Sequence, residues 1–468
     1  MGDIHGVGGA PRRRLMVQAF KTATFLSVLF IVVYGGTNWF TAQRPAEQVG
    51  VWCFAWELPL VPYVPLLMIP YMSIDLFFFM AAFLCRDARE LRVFAKRVTF
   101  SILVAAAFFL LLPLKLAWPE RPRGAGWFGD FVEASCTAPF LMEYPHNLFP
   151  TLHIALCVIL ADIYGRHTRG VVRAFAYVWF VLIGVSTVLT WQHHLIDVAG
   201  GLLLAAFAFH FHRDASPRSP VTPNPRIAGY YGMAAALALV VVPFTLPWGV
   251  FLLWPAVGFG MIAAGYLGVG PGVFRKERGG LPLSTWIVQA PALLSQYLSL
   301  AYYRRRSRAW DELVPGVWIG RRLSNAEAAV AIDEGVTAVL DLTAEFPEAS
   351  PFRASRYRNL PILDLTAPTP DQLREAVDFI AAEAARGTVY VHCKIGYSRT
   401  AAVAGAYLLA SGQVETADDA IARLREVRPA IIIRPEAVEA LHAYARDRMR
   451  RLSPARAAVS SRSKTAKS

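Results

Sequence analysis

From residue 17 the chain repeats one pattern, a run of mostly apolar positions followed by a short polar break rich in arginine. Six such runs precede residue 213, at 17–39, 58–84, 98–118, 150–165, 175–191 and 195–211, and two more follow at 228–247 and 250–269. A helix needs about 20 apolar residues to cross a bilayer core, so the pattern predicts eight spans, the fourth and fifth being short. After residue 310 the period changes. Short apolar runs at 317–320, 337–342 and 388–391 read as strands, and 370–386, 401–410, 415–428 and 435–450 have helical spacing. Strands alternating with helices predict an α/β sandwich. The expected architecture is an α-helical multi-span membrane domain (a six-helix core over 15–212), a linker with two extra spans and an interfacial segment (213–303), an α/β domain (310–450) and a disordered basic tail (453–468).

Composition sharpens this division. The first 303 residues carry 36 charged side chains and the remaining 165 carry 45. The first figure is too low for a water-soluble domain and the second is ordinary for one. A single soluble domain, a disordered chain and a disulfide-rich secreted module are thereby excluded. The net charge of +13 does not imply nucleic acid, because the basic residues flank apolar runs. Arg12–Arg14, the Arg86–Arg97 group, Arg166/Arg169/Arg173, Arg213/Arg218/Arg226 and Arg275/Lys276/Arg278 all fall on one side if eight spans alternate. The positive-inside rule makes that side cytoplasmic. Both termini and the α/β domain are then cytoplasmic, and the expected location is a bacterial inner membrane. Five cysteines show no metal-binding spacing. Cys53 and Cys136 share the outer side, as a disulfide or as two free thiols. Asp75, inside the second run, needs a partner or a cavity.

Three polar clusters interrupt the apolar pattern on the predicted outer face: Lys115 with Arg121–Pro122, Phe149–Pro150–Thr151–Leu152–His153, and His193–His194–Leu195–Ile196–Asp197. Cations can neutralise phosphate oxygens, one His can attack phosphorus while an Asp orients it, and a second His can protonate the leaving oxygen. These residues resemble the type 2 phosphatidic acid phosphatase (PAP2) superfamily over about residues 15–212. The resemblance implies His193 as nucleophile, Asp197 as its orienting partner, His153 as general acid, and Lys115 and Arg121 as phosphate ligands. Thr151–Leu152 replaces the Ser-Gly of the family's Pro-Ser-Gly-His block, and Thr187 stands where its Ser-Arg-x5-His-x3-Asp block normally carries Arg. The form of the two His blocks is closer to the branch containing inositol-phosphorylceramide and sphingomyelin synthases, so hydrolysis, headgroup transfer and an inactive site are all open.

Residues 281–308, with Trp286, Tyr297, Tyr302, Tyr303 and Arg304–Arg306, suit a helix lying against anionic lipid; a helix packed inside the protein is the alternative.

The strongest chemical signal is His392–Cys393–Lys394–Ile395–Gly396–Tyr397–Ser398–Arg399–Thr400, directly after an apolar strand. A Cys and an Arg six residues apart at a helix N-terminus make a phosphate cradle, where loop amides and the helix dipole face the anion. The same field favours the thiolate of Cys393, Arg399 can grip two phosphate oxygens, Thr400 can hydrogen-bond the sulfur, and Gly396 permits the turn. This motif is the signature of Cys-dependent tyrosine and dual-specificity phosphatases, which residues 310–447 resemble throughout. The resemblance implies an aspartic acid about 30 residues upstream as general acid. Asp364 fits; Asp341 lies 52 residues from Cys393 and reads as structural. Val389–Lys394, Ala406–Leu408 and Ile433–Pro435 with Leu441 are closest to the dual-specificity branch acting on phosphatidylglycerophosphate. The implied activity is metal-free, cofactor-free phosphomonoester hydrolysis, with Lys394, Gly396, Ser398 and Thr400 binding the phosphate. A phospholipid headgroup is the expected substrate, with a phosphoprotein or headgroup transfer as alternatives.

Overall fold

The computed structural model describes residues 9–120, 127–131, 146–213 and 220–465, divided between two compact units, 1–214 and 215–468. Arg121, Pro122 and Cys136 lie outside the described residues, and with Cys136 the question of its pairing to Cys53.

The main helices of the first unit are α1 (Gly9–Ala42), α2 (Met68–Leu84), α3 (Ala88–Leu111), α4 (Leu152–His167), α5 (Gly170–Leu189) and α6 (Leu195–Phe211). Helix ends depart from the apolar runs for local reasons. Pro59, Pro62 and Pro65 delay α2 to Met68. Helix α3 starts ten residues before the apolar run, because the Asp87 carboxylate caps it by accepting from the amides of Arg89 and Glu90 at 2.8 Å. It stops at Leu111, ahead of Pro113, so Lys115 follows the helix at a distance rather than closing it. Helix α5 has 20 residues, longer than its apolar run, and takes in Arg173.

Helices α1, α2 with its preceding turn, α3 and α5 are long and apolar enough to cross a membrane, and so are Pro225–Phe244 and Trp248–Val269 in the second unit; α6 is shorter. Small residues let the helices of the first unit approach one another: Ala19, Ala23, Ala105, Ala155 and Ala208 are buried with Phe78, Phe94, Ile102, Ile159 and Ile183. The outward surface is equally apolar, with Val28, Ile31, Val32, Leu76, Leu103, Val178, Val181 and Leu202 exposed. An outside as apolar as the inside is the reverse of a water-soluble bundle.

In the second unit α7 (Pro225–Val241) and α8 (Leu253–Ala264) form a hairpin, followed by α9 (Ala290–Arg304). Ala292, Leu293 and Leu300 of α9 are buried, whereas Leu294, Leu298 and Tyr302 are exposed. The helix thus has one face packed in the protein and one apolar face turned out. A five-stranded sheet follows: β1 (Trp310–Val314), β2 (Val317–Arg321), β3 (Val336–Thr343), β4 (Arg356–Ile362) and β5 (Thr388–Cys393), in the order β1-β2-β5-β3-β4. Only β1 runs antiparallel to its neighbour. Strand β5 is central and almost wholly buried, which explains its unbroken apolar run. Strand β4 is one of the two edge strands; its Arg356, Arg358 and Asn359 and its Pro361 mask a strand that is tolerated only at an edge.

The longer helices are α10 (Asn325–Asp333), α11 (Pro370–Ala384), α12 (Ser398–Ser411), α13 (Ala417–Val427) and α14 (Pro435–Thr465). Ser324–Glu327, Thr369–Gln372 and Thr416–Asp419 close capping boxes on α10, α11 and α13. Helix α14 runs on through 453–465, where low complexity led us to expect no regular structure; Ala, Arg and Lys favour helix.

One buried ion pair joins the segment after the hairpin to the sheet. Lys276, its side chain 2% exposed, donates to Asp341 Oδ2 at 2.5 Å and to the carbonyl and hydroxyl of Thr343 at 2.9 Å. Burial alone would raise the Asp341 carboxyl; Lys276, His392 and the Tyr357 hydroxyl outweigh it and hold it well below the usual range. Lys276→Met would leave that carboxylate buried without its cation, costing about 3–5 kcal/mol. The expected outcome is a thermal midpoint lower by roughly 10 °C for the detergent-solubilised protein. An unchanged midpoint would show that the pair does not secure the two segments.

Candidate active site

Strand β5 delivers Cys393 to the carboxyl end of the sheet centre, level with Arg321 on β2, while His392 is level with Asp341 on β3. The chain then turns through Lys394–Tyr397 into α12. Gly396 has φ +76°, and a Cβ there would lie 2.4 Å from the Gly320 carbonyl oxygen, so the turn admits no side chain. Ser398 Oγ accepts from the Arg434 amide at 2.7 Å, tying the first turn of α12 to the entrance of α14.

Arg399 is buried, its side chain 1% exposed. Nη1 donates to the Ile362 carbonyl at 2.8 Å and to Glu345 Oε2 at 3.2 Å; Nη2 donates to Glu345 Oε1 at 2.8 Å and to Asp364 Oδ1 at 3.1 Å. Glu345 therefore grips the guanidinium bidentately from behind. Sequence reasoning missed it, because an acid shortly after a strand carries no spacing signal of its own.

Burial pushes the Cys393 thiol up, but the Arg399 charge and hydrogen bonding from Thr400 outweigh it, so the group is held below its ordinary value. Asp364 is also lowered: burial raises it, and Arg399 and Lys394 together more than offset that. Lys394 Nζ donates to Asp364 Oδ2 at 3.4 Å and to Gln296 Oε1 at 2.8 Å. Cys393, Lys394, Arg399 and Asp364 line one cleft of about 390 Å³, whose opposite wall is α9 through Gln296 and Ser299. The Asp364 carboxylate bridges two cations and so occupies an anion's place between them. A phosphate dianion entering the cleft would compete for both, and an Asp364 deprived of them would become easier to protonate. The arrangement can thus couple anion binding to the arming of an acid.

Asp341, Glu348 and His392 bring ligand-type atoms within 4.8 Å of one another. They are already engaged: His392 Nε2 lies 2.6 Å from Glu348 Oε2 and Lys276 holds Asp341. An ammonium group inside the cluster makes it a poor cation site. Burial would push His392 down, but Glu348 and Asp341 hold it above its usual value. This places Asp341 in the support behind the cradle.

Residues 317–447 match the family profile of the dual specificity phosphatase catalytic domain. The chain is 35% identical over 124 residues to mouse dual specificity protein phosphatase 12, covering 25% of this chain and 36% of that one. It is 31% identical over 134 residues to mouse phosphatidylglycerophosphatase and protein-tyrosine phosphatase 1, covering 26% of this chain and 68% of that one. The chain belongs to the dual-specificity phosphatase family. It spans little more than a third of the first of these relatives. A crystal structure of PTPMT1 is 25% identical and superposes with a TM-score of 0.29, covering 31% of this chain and 99% of that one.

The first unit of this phosphatase-family chain holds the other predicted constellation. His153, in the first turn of α4, and His193, just before α6, line one cavity together with Asp75 of α2. Their ring centroids are 6.2 Å apart, and Tyr71 stacks on His153 at 4.4 Å. His193 Nδ1 stands 3.5 Å from Asp197 Oδ2, and that oxygen accepts instead from the His194 amide at 2.9 Å, capping α6. His194 turns away to Glu57 Oε2 at 3.2 Å and to the Ala117 amide at 3.1 Å. Lys115 is exposed and does not line the cavity. The fold therefore brings together His153, His193, Asp197 and Asp75 but leaves Lys115 apart. The cavity measures about 50 Å³, far smaller than the cleft at Cys393.

The Thr400 contribution can be tested directly. Thr400→Val keeps the side-chain volume and removes the hydroxyl that favours the Cys393 thiolate, so the thiol pKa rises. Iodoacetamide reacts with the thiolate, and the midpoint of alkylation rate against pH is expected to move upward. A midpoint identical to wild type would remove Thr400 from the thiol's support.

Proposed function

We propose that this protein is a membrane-embedded phosphomonoesterase whose cytoplasmic domain hydrolyses a phospholipid headgroup through a phosphocysteine intermediate. The observation that carries the reading is the convergence of Cys393, Arg399, Asp364 and Lys394 on one cleft walled by α9. In the first step the Cys393 thiolate attacks phosphorus and the P–O bond to the alcohol breaks. Arg399 and Lys394 neutralise the nonbridging oxygens, and Asp364 gives its proton to the departing alkoxide. In the second, Asp364 takes a proton from a water molecule that attacks phosphorus; the P–S bond breaks, inorganic phosphate leaves and the thiolate returns. Gly396 and Ser398 shape the cradle, and Thr400 supports the sulfur.

Three features support a lipid substrate over a phosphoprotein. The cleft is walled by a helix whose other face exposes Leu294, Leu298 and Tyr302 and which ends in Arg304–Arg306, a combination suited to anionic bilayer. The hairpin before it is long and apolar enough to cross a membrane, and anchoring raises the effective concentration of lipid. The mouse relative's own name includes phosphatidylglycerophosphatase, alongside protein-tyrosine phosphatase. Charge placement along the sequence supports a cytoplasmic catalytic domain.

A second reading concerns the helical unit, as a PAP2-type lipid phosphatase or headgroup phosphotransferase. It is favoured by the shared cavity of His153 and His193 beside Asp197. On that reading His193 attacks phosphorus and His153 protonates the leaving oxygen; of the two phosphate ligands that the resemblance implies, Lys115 lies away from the cavity and Arg121 is outside the described residues.

The test is phosphate release by the detergent-purified chain from phosphatidylglycerophosphate, phosphatidylinositol phosphate, phosphatidic acid and a phosphotyrosine peptide. Cys393→Ser is expected to reduce release from the first two lipids to background, and Asp364→Asn to lower it about a hundredfold or more, with His193→Ala unaffected. Faster release from the peptide than from every lipid would assign the domain to proteins. Loss of lipid turnover in His193→Ala alone would move the lipid chemistry to the helical unit.

A further inference from the structure

The loop bearing Asp364 is held from outside the residues that match the phosphatase family. Tyr266, just after α8, donates its hydroxyl to the Asp364 carbonyl at 2.7 Å. Asn224, the N-cap of α7, donates Nδ2 to the Leu365 carbonyl at 2.8 Å, while its Oδ1 accepts from the Ile227 amide at 3.2 Å. The two residues are joined to each other, the Asn224 amide donating to the Tyr266 carbonyl at 3.0 Å. Leu363 is buried in one apolar cluster with Ala228 and Ile262 of the hairpin, Tyr266 and Val273 after it, and Leu293 of α9. Gln296 of α9 accepts from Lys394 and donates to the Tyr231 hydroxyl of α7 at 2.9 Å.

Leu365 has φ +59°, a left-handed conformation that costs a branched residue about 1 kcal/mol or more and persists only where its surroundings impose it. Here the surroundings are the loop's own bonds, from the Leu365 amide to Asp364 Oδ1 and from Thr366 to the Leu363 carbonyl, together with two further carbonyl hydrogen bonds and the apolar packing around Leu363 that residues 224–293 supply. A carboxyl that must hand a proton to a leaving oxygen gains from a backbone fixed in this way, since a displacement of about 1 Å can cost a hundredfold in rate.

We propose that the apolar hairpin is a positioning element of the active site, in which Asn224 and Tyr266 hold the Asp364 loop in register for proton transfer to the leaving group. Neither residue touches substrate. The proposal rests on the reading of Cys393 as nucleophile and Asp364 as general acid. It makes the membrane anchor part of the catalytic geometry, so the α/β domain by itself would keep its cradle and lose control of its acid.

The experiment exploits the leaving group. An aryl phosphate departs without a proton, whereas an alkyl phosphate such as glycerol phosphate needs one. The full chain in detergent is assayed on p-nitrophenyl phosphate and glycerol phosphate as wild type, Tyr266→Phe, Asn224→Asp, Asp364→Asn and Cys393→Ser. Asn224→Asp keeps the acceptor that caps α7 and removes the donor to Leu365; Tyr266→Phe removes a single hydroxyl. In both, the ratio of alkyl to aryl turnover is expected to fall about 10- to 100-fold, in the direction of Asp364→Asn. Adding Tyr266→Phe to Asp364→Asn should change the ratio no further.

If Cys393→Ser stays active, or Asp364→Asn leaves the ratio unchanged, the underlying assignment of the site fails. If those two behave as expected while Tyr266→Phe and Asn224→Asp keep the wild-type ratio, or lose both substrates equally, the hairpin is only an anchor and the proposal is overturned. Thermal melts compare folding across the set; should Asn224→Asp not fold, Tyr266→Phe decides alone.

Discussion

A guanidinium group buried in a protein cannot shed its charge, so everything around Arg399 is arranged to keep it neutralised and aimed. Glu345 takes both of its outer nitrogens, the Ile362 carbonyl at the end of β4 fixes one side, and Asp364 closes the circuit. The same charge is what favours the thiolate of Cys393. Three acidic groups thus depend on one cation, and the sheet edge, the acid loop and the nucleophile share a single electrostatic centre. Removing one acid would leave the others in place; removing the cation would leave several anions buried together, the costlier arrangement.

The second unit builds outward from that centre in layers. Behind the cradle, His392 with Glu348 and Asp341 with Lys276 form buried ion pairs. In front, the cleft is completed by α9 and the acid loop is bonded to Asn224 and Tyr266. Lys276, Asn224, Tyr266 and Gln296 all lie before residue 317, where the family's catalytic domain begins in this chain. The hairpin is therefore bound into the catalytic domain by specific polar contacts at the cleft and behind it, and a flexible tether would make none of these.

The helical unit assembles a different set of groups. It gathers imidazoles and carboxyls, His153, His193 and Asp75, around a small cavity, whereas the α/β domain gathers a thiol and two cations around a large one. Phosphate recognition needs positive charge above all. That charge is built into the cleft of the α/β domain, while Lys115 stands clear of the helical cavity.

What the sequence determined by itself follows from rules that act over a few residues. Apolar run length located the long helices, though six of the eight expected spans are long and apolar enough to cross a membrane among the described residues. The Cys393–Arg399 spacing, with the strand before it and the helix after, specified the cradle, because strand, turn and helix are all local. The spacing that the family resemblance implies pointed to Asp364, which lines the cleft, over Asp341, which pairs with Lys276 outside it. Edge strand β4 was hidden by its charges and Pro361, and the starts of α2 and α3 were moved by prolines and a cap that hydropathy does not register. The partners that complete the site were beyond any local rule. Glu345 reaches Arg399 across 54 positions, Tyr266 reaches Asp364 across 98, and Asn224 reaches Leu365 across 141. Such contacts exist only after the sheet and hairpin have packed, when burial makes each unpaired polar group costly enough to select its partner. The tertiary structure alone decided that the apolar hairpin and the acid loop would meet.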